Sequence, residues 1–246
     1  MKIKLKNNGF SLTEVLMAVG ILTVGMLLIA TMFPVGIYLT AVASERTMAA
    51  IVADEAFAKI QLYNINDITP NDDGQCHDWG YEMYDANEID PNEFSYPPVD
   101  PNGSSQYYWS ALYRKTPGNA ADKQYQITVF VARKTNPGLT YEGGSVSAPS
   151  SGNPWPIPLE LALAATGSKD SPELAIGTGS ENLVNPPTKI IDNATGRLYT
   201  VVKRNEADVT LDRPLEADVT DIWLIPPPQS GGKNAGIEVY QRIIKF

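Results

Sequence analysis

From Phe10 to Ala43 apolar residues fill almost every position, and the polar exceptions are Ser11, Thr13, Thr23, Thr31, Tyr38, Thr40 and one acid, Glu14. The run exceeds the roughly 20 residues a helix needs to cross a bilayer. The pattern then changes period. Ala49, Val52, Ala53, Ala56, Phe57 and Ile60 fall on one face of a 3.6-residue repeat, with Asp54, Glu55 and Lys59 on the other. Glu55 and Lys59 stand i, i+4 in the favourable order. Residues 10–62 therefore predict one helix, on the order of 80 Å long at about 1.5 Å per residue. Its first part faces lipid (10–43) and its second is amphipathic (44–62). Gly20, Gly25 and Gly36, with Ala18 and Ala30, give it small surfaces for close helix packing. Pro34 removes an amide donor and is expected to kink it.

Beyond residue 63 the period falls to two. Tyr107, Trp109, Ala111 and Tyr113 share one face of a strand, and Tyr125, Ile127, Val129 and Val131 alternate with Gln124, Gln126 and Thr128. A loop beginning Thr116-Pro117-Gly118-Asn119 joins these two strands. Residues 136–156 are rich in Gly, Ser and Pro and predict a surface loop. A short element at Leu159–Ala165 and a second loop through Pro187 follow. Thr188–Asp192 and Arg197–Lys203 flank Asn193-Ala194-Thr195-Gly196 as a hairpin, and Val209–Leu211, Ile222–Ile225 and Ile237–Phe246 predict further strands. The fold class is α+β: a long helix packed on an antiparallel sheet, with a second β-rich portion at about 157–235 inserted before the last strand. No internal repeat is present.

Charge narrows the partners. The chain of 246 residues carries a net charge of −9, and residues 1–9 hold three lysines and no acid, so their removal would leave −9 − 3 = −12. Such a field argues against nucleic acid as a partner. Ten acids and no Lys or Arg lie within 63–106, but Asn71-Asp72-Asp73-Gly74 lacks the alternating ligand spacing of an EF-hand, so a solvated loop is expected and no metal. One cysteine, Cys76, excludes an intrachain disulfide, and Cys76-His77 supplies too few ligands for zinc. One histidine, no nucleophile elbow and no phosphate loop argue against an enzyme, and no cofactor is implied. Asn102-Gly103-Ser104 and Asn193-Ala194-Thr195 fit the N-glycosylation pattern.

The sharpest chemistry is at the start. Lys2, Lys4 and Lys6 precede Gly9-Phe10-Ser11-Leu12-Thr13-Glu14-Val15-Leu16. Basic residues before the span favour a cytoplasmic N-terminus, with the remainder outside. A lone carboxylate inside an apolar run costs some kcal/mol unless partnered. A conventional secretory signal is cut after its apolar core, whereas the plausible cut here precedes it. This segment resembles the class III signal of type IV pilins and type II secretion pseudopilins. The resemblance implies a leader of residues 1–9, cleavage between Gly9 and Phe10 by prepilin peptidase, and N-methylation of Phe10. It also implies pairing of Glu14 with the new amine of Phe10 during assembly, and a proline near position 34.

By that resemblance the chain is an inner-membrane precursor that joins other pilin or pseudopilin subunits through an assembly platform, with residues 63–246 as an extracytoplasmic β-rich domain that reaches a filament or the cell surface. The length of the outer domain favours a minor subunit. The alternatives are a minor pseudopilin of a type II secretion system and, from another class, a monomeric membrane-tethered binding domain. A DNA-uptake pilin is disfavoured by the acidic balance.

Overall fold

A computed structural model describes residues 11–63, 74–79, 91–97, 105–116, 123–134, 136, 138–146 and 148–246. The chain divides into two compact units, Met1–Glu45 and Arg46–Phe246. In the first, helix α1 (Leu12–Tyr63) begins; the element runs on into the second. The helix runs unbroken through Pro34, so the missing donor does not end it. Every large apolar side chain from Leu12 to Leu39 is exposed in the isolated chain.

In the second unit the amphipathic stripe does what its spacing predicts. Ala49, Val52, Ala53, Ala56, Phe57 and Ile60 are all buried, at 3% exposure or less. They pack on Trp109, Ala111, Tyr113, Tyr125, Ile127, Val129 and Val131, the faces whose alternation the sequence displays. Fully burying one side chain such as Phe57 contributes about 1.5–3 kcal/mol. The sheet beneath has the order β1 (His77–Asp78), β3 (Tyr107–Lys115), β4 (Gln124–Arg133), β13 (Gly236–Lys245), all antiparallel, and β2 (Ser95–Tyr96) also pairs with β3. The last strand therefore returns to β4 after the inserted portion, as expected.

The insertion is larger than its pattern indicates. The stretch 136–156, expected as loop, contains β5 (Tyr141–Ser145) and β6 (Ala148–Asn153), and the loop expected to run to Pro187 contains β8 (Glu173–Ile176). These join β7 (Leu159–Gly167), β9 (Lys189–Asp192), β10 (Leu198–Asn205), β11 (Asp208–Leu211) and β12 (Val219–Leu224) in an eight-stranded sheet. Glycine allows the tight passage of β5: a Cβ at Gly143 would lie 2.1 Å from Ile157 Cγ1.

The second sheet closes the far face of the first. Leu112, Phe130 and Ala132 from the first sheet cluster with Ile191, Trp223 and Ile225. Their neighbours Ile190, Ile222 and Leu224 face a separate core with Tyr199, Val201, Val209 and Leu211. Thus the polar face of β4 is not wholly solvated: Thr128 is 2% exposed, and its Oγ1 accepts from Gln241 Nε2 at 2.9 Å.

Candidate assembly segment and the polar centres of the outer domain

Helix α1 starts on a reciprocal pair. The Ser11 backbone N–H donates to Glu14 Oε2 at 2.9 Å, and the Glu14 N–H donates to Ser11 Oγ at 3.2 Å. This is a capping box, which satisfies two amides that the first turn leaves without helical acceptors. Residue types decide it: Ser caps well, and Glu three positions later can reach back. The sequence reading singled out Glu14 and missed Ser11, although the Ser-x-x-Glu spacing carries the signal.

Farther along, the polar side chains satisfy themselves. Thr23 Oγ1 donates to the carbonyls of Val19 and Gly20, Thr31 to Leu28, and Thr40 to Gly36. An apolar medium demands this economy. A Cβ built on Gly20, Gly25 or Gly36 meets nothing within 4 Å, so these surfaces are open for a neighbouring helix. Gly9 and Phe10, the predicted cleavage and methylation residues, lie outside the described residues.

Two polar centres organise the outer domain. On the helix side, Lys59 donates to Glu55 and Glu93 carboxylates at 2.8 Å each and to the Glu93 carbonyl at 2.9 Å. Lys59 is thus largely buried, not on a solvated face as the helical period suggests. Burial pulls its ammonium pKa down, but the bonds and charges of Glu55 and Glu93 outweigh this and leave it raised. Trp109 Nε1 donates to the same Glu93 carbonyl.

On the other side, Asn193 is 5% exposed. Its Oδ1 accepts from the Cys76 amide and Trp223 Nε1, both at 3.0 Å, and its Nδ2 donates to Glu160 Oε1 at 2.9 Å and Gln75 Oε1 at 3.3 Å. The Asn193-Ala194-Thr195 pattern therefore marks a buried structural amide, not an accessible acceptor. Burial raises the Glu160 carboxyl pKa; the Val146 amide and His77 oppose that shift and Asp221 adds to it. Cys76 is a buried free thiol, with Sγ 3.8 Å from the Asp192 carbonyl, and His77 lies against the Tyr113 ring at 5.5 Å. Among the described residues no three His, Cys, Asp or Glu side chains are grouped to hold a metal. Asn71–Asp73 and Asn102–Ser104 lie outside those residues.

Residues 4–30 match the family model of the prokaryotic N-terminal methylation motif. The chain thus carries a prepilin-type N-terminal methylation motif, the segment by which it resembles type IV pilins and pseudopilins. That motif points to a structural subunit. One helix, near the N-terminus, is long and apolar enough to cross a membrane among the described residues. No curated protein matches the chain, and no solved structure does.

Proposed function

We propose that the chain is a pilin-like subunit, inserted in the inner membrane with its N-terminus cytoplasmic and cut by prepilin peptidase between Gly9 and Phe10. Phe10 is then methylated, and the subunit is added through α1 to a type IV pilus-type filament, or primes one, at an inner-membrane assembly platform. The observation that carries the reading is the first part of α1, residues 12–43: apolar all round, bearing one carboxylate at its first turn, and beginning within a matched methylation motif. An all-round apolar surface needs lipid or other helices to cover it.

Glu14 Oε2 already holds the Ser11 amide. A carboxylate has about four acceptor sites, so capacity remains for the amine of Phe10 on an adjoining subunit. A desolvated pair of that kind adds register more than stability, and register along an axis is what a filament requires. Pro34 sits within the lipid-facing part, where a helix short of one donor can yield during packing.

Replacing Glu14 by Ala tests this. Processing at Gly9 should stay normal while incorporation into filaments is lost. A monomeric tethered domain predicts function intact in the same variant. A minor pseudopilin is the nearest variant of the proposal, and neighbouring genes for a secretin and other pseudopilins, instead of a retraction ATPase, would distinguish it.

A further inference from the structure

Three cations far apart in the sequence, Arg46, Lys189 and Lys233, line one cleft of about 680 Å³ in the second unit. Ile237, Val239, Pro187 and Pro227 give it apolar walls. Among the described residues the one acid that lines it is Glu238, which Lys189 takes as an ion pair. Arg46 and Lys233 are exposed and make no hydrogen bond or ion pair among the described residues. Arg46 also stands close enough to Lys189 to disfavour the charge of that residue. In a chain of net charge −9, the cleft is a local inversion of the field that still lacks its counter-ion.

Its place along the chain says where a counter-ion is to be found. Arg46 is the first cation after Lys6, and it follows Ala43, the last residue of the apolar run, by three positions. Three residues reach at most about 11 Å, so the chain itself keeps Arg46 beside the end of that run. Residues 12–43 make about 48 Å of helix at roughly 1.5 Å each. A bilayer with its headgroups is about 40–45 Å thick, and an ordinary tilt absorbs the difference. A subunit inserted as proposed above therefore brings Arg46 to the headgroup layer of the extracytoplasmic leaflet.

We infer that the cleft holds the headgroup of an anionic phospholipid of that leaflet, with Arg46 and Lys233 on its phosphate and its glycerol ester shoulder along Ile237, Val239 and Pro187. The chemistry matches in both parts. A guanidinium can meet two phosphate oxygens at once, and an ammonium adds a point charge. The apolar walls suit the esterified glycerol, which a free phosphate lacks, and a basic pocket beside a membrane span is a recurring headgroup site. The inference rests on the membrane insertion proposed above and adds a lipid partner for the outer domain before assembly.

The test is native mass spectrometry of the full chain, released from a mild detergent that holds equal amounts of phosphatidylglycerol and phosphatidylcholine. One phosphatidylglycerol per chain is expected to survive release, in roughly tenfold preference to phosphatidylcholine. The double variant Arg46→Ala, Lys233→Ala should lose that adduct about tenfold, with its Tm unchanged because both side chains are exposed. The double variant Arg46→Lys, Lys233→Arg keeps both charges and should keep the adduct. Lys2, Lys4 and Lys6 are common to all these chains, so the differences read the cleft. Equal retention of the two lipids, or full retention by the alanine variant, would overturn the inference. So would displacement of the lipid by excess inorganic phosphate, which would make the cleft a site for free anions. Cleavage at Gly9 and the Glu14→Ala phenotype read the filament proposal separately, so a missing adduct with both of those as expected strikes the cleft alone.

Discussion

Ser11 and Glu14 hold each other across the first turn of α1 through two backbone amides. Glu14 therefore has a capping role within its own chain and a proposed charge role between chains, and substitutions can separate them. Glu14→Gln keeps an oxygen that can accept from the Ser11 amide but removes the charge. We expect normal cleavage at Gly9 and loss of filament incorporation. Ser11→Ala removes one cap bond, costs about 1 kcal/mol of helix start, and should leave incorporation largely intact. Immunoblots of sheared filaments and whole cells measure both. Equal loss in the two variants would mean that capping, not charge, is what assembly needs.

Asn193 gives a second prediction. Its replacement by Ala leaves Trp223 Nε1 without its acceptor and takes one of two donors from Glu160, which keeps the Val146 amide. The buried orphan costs about 1–3 kcal/mol, and with the lost Glu160 bond a total of about 3 kcal/mol is expected. For a domain of this size that lowers Tm by about 6–12 °C. Trp223→Phe removes the orphaned donor itself, so the double variant should be more stable than the sum of the two single losses implies. Thermal denaturation followed by circular dichroism in detergent reads all three. Strict additivity would remove Asn193 from the centre of this network.

The pH dependence of stability has its sign set by several groups. Burial holds the phenols of Tyr108, Tyr141, Tyr199 and Tyr240 above their ordinary value of 10.0. Between that value and the raised one, the folded state binds more protons than the unfolded, so stability falls as pH rises. Lys59, raised above 10.5 by Glu55 and Glu93 in spite of burial, contributes stability that is full below 10.5 and is lost above it. Two lysines pull the other way. Burial lowers Lys134, and burial together with Arg46 lowers Lys189 despite its ion pair with Glu238. The four phenols and Lys59 outnumber them, so the unfolding midpoint should drop from about pH 10 upward. A midpoint that stays level through that range, with the tyrosines ionising freely in the folded protein, would contradict this.

The parts that were legible in the sequence are those with a sustained period. The stripe Ala49–Ile60 and the alternation of β3 and β4 name their own buried faces, because helix and strand geometry repeat over enough residues to exceed noise. Strands β5, β6 and β8 were not legible. They are short and rich in Gly, Ser, Ala or Pro, and Gly143 lies in β5 only because Ile157 passes too close for a side chain. Thr128 reads as solvent-facing until the inserted sheet covers it. Lys59 and Asn193 acquire partners 34 and 117 positions away in sequence, which no local pattern encodes. Ser11 was legible by spacing and was overlooked beside the louder carboxylate.

The most direct measurement is mass spectrometry of the mature N-terminus purified from native membranes. A chain that begins at Phe10 and carries one methyl group on its amine is the predicted result. An intact Met1, or a terminus beyond Ala43, would contradict the account, because α1 would then lack either the free amine that Glu14 is proposed to meet or Glu14 itself.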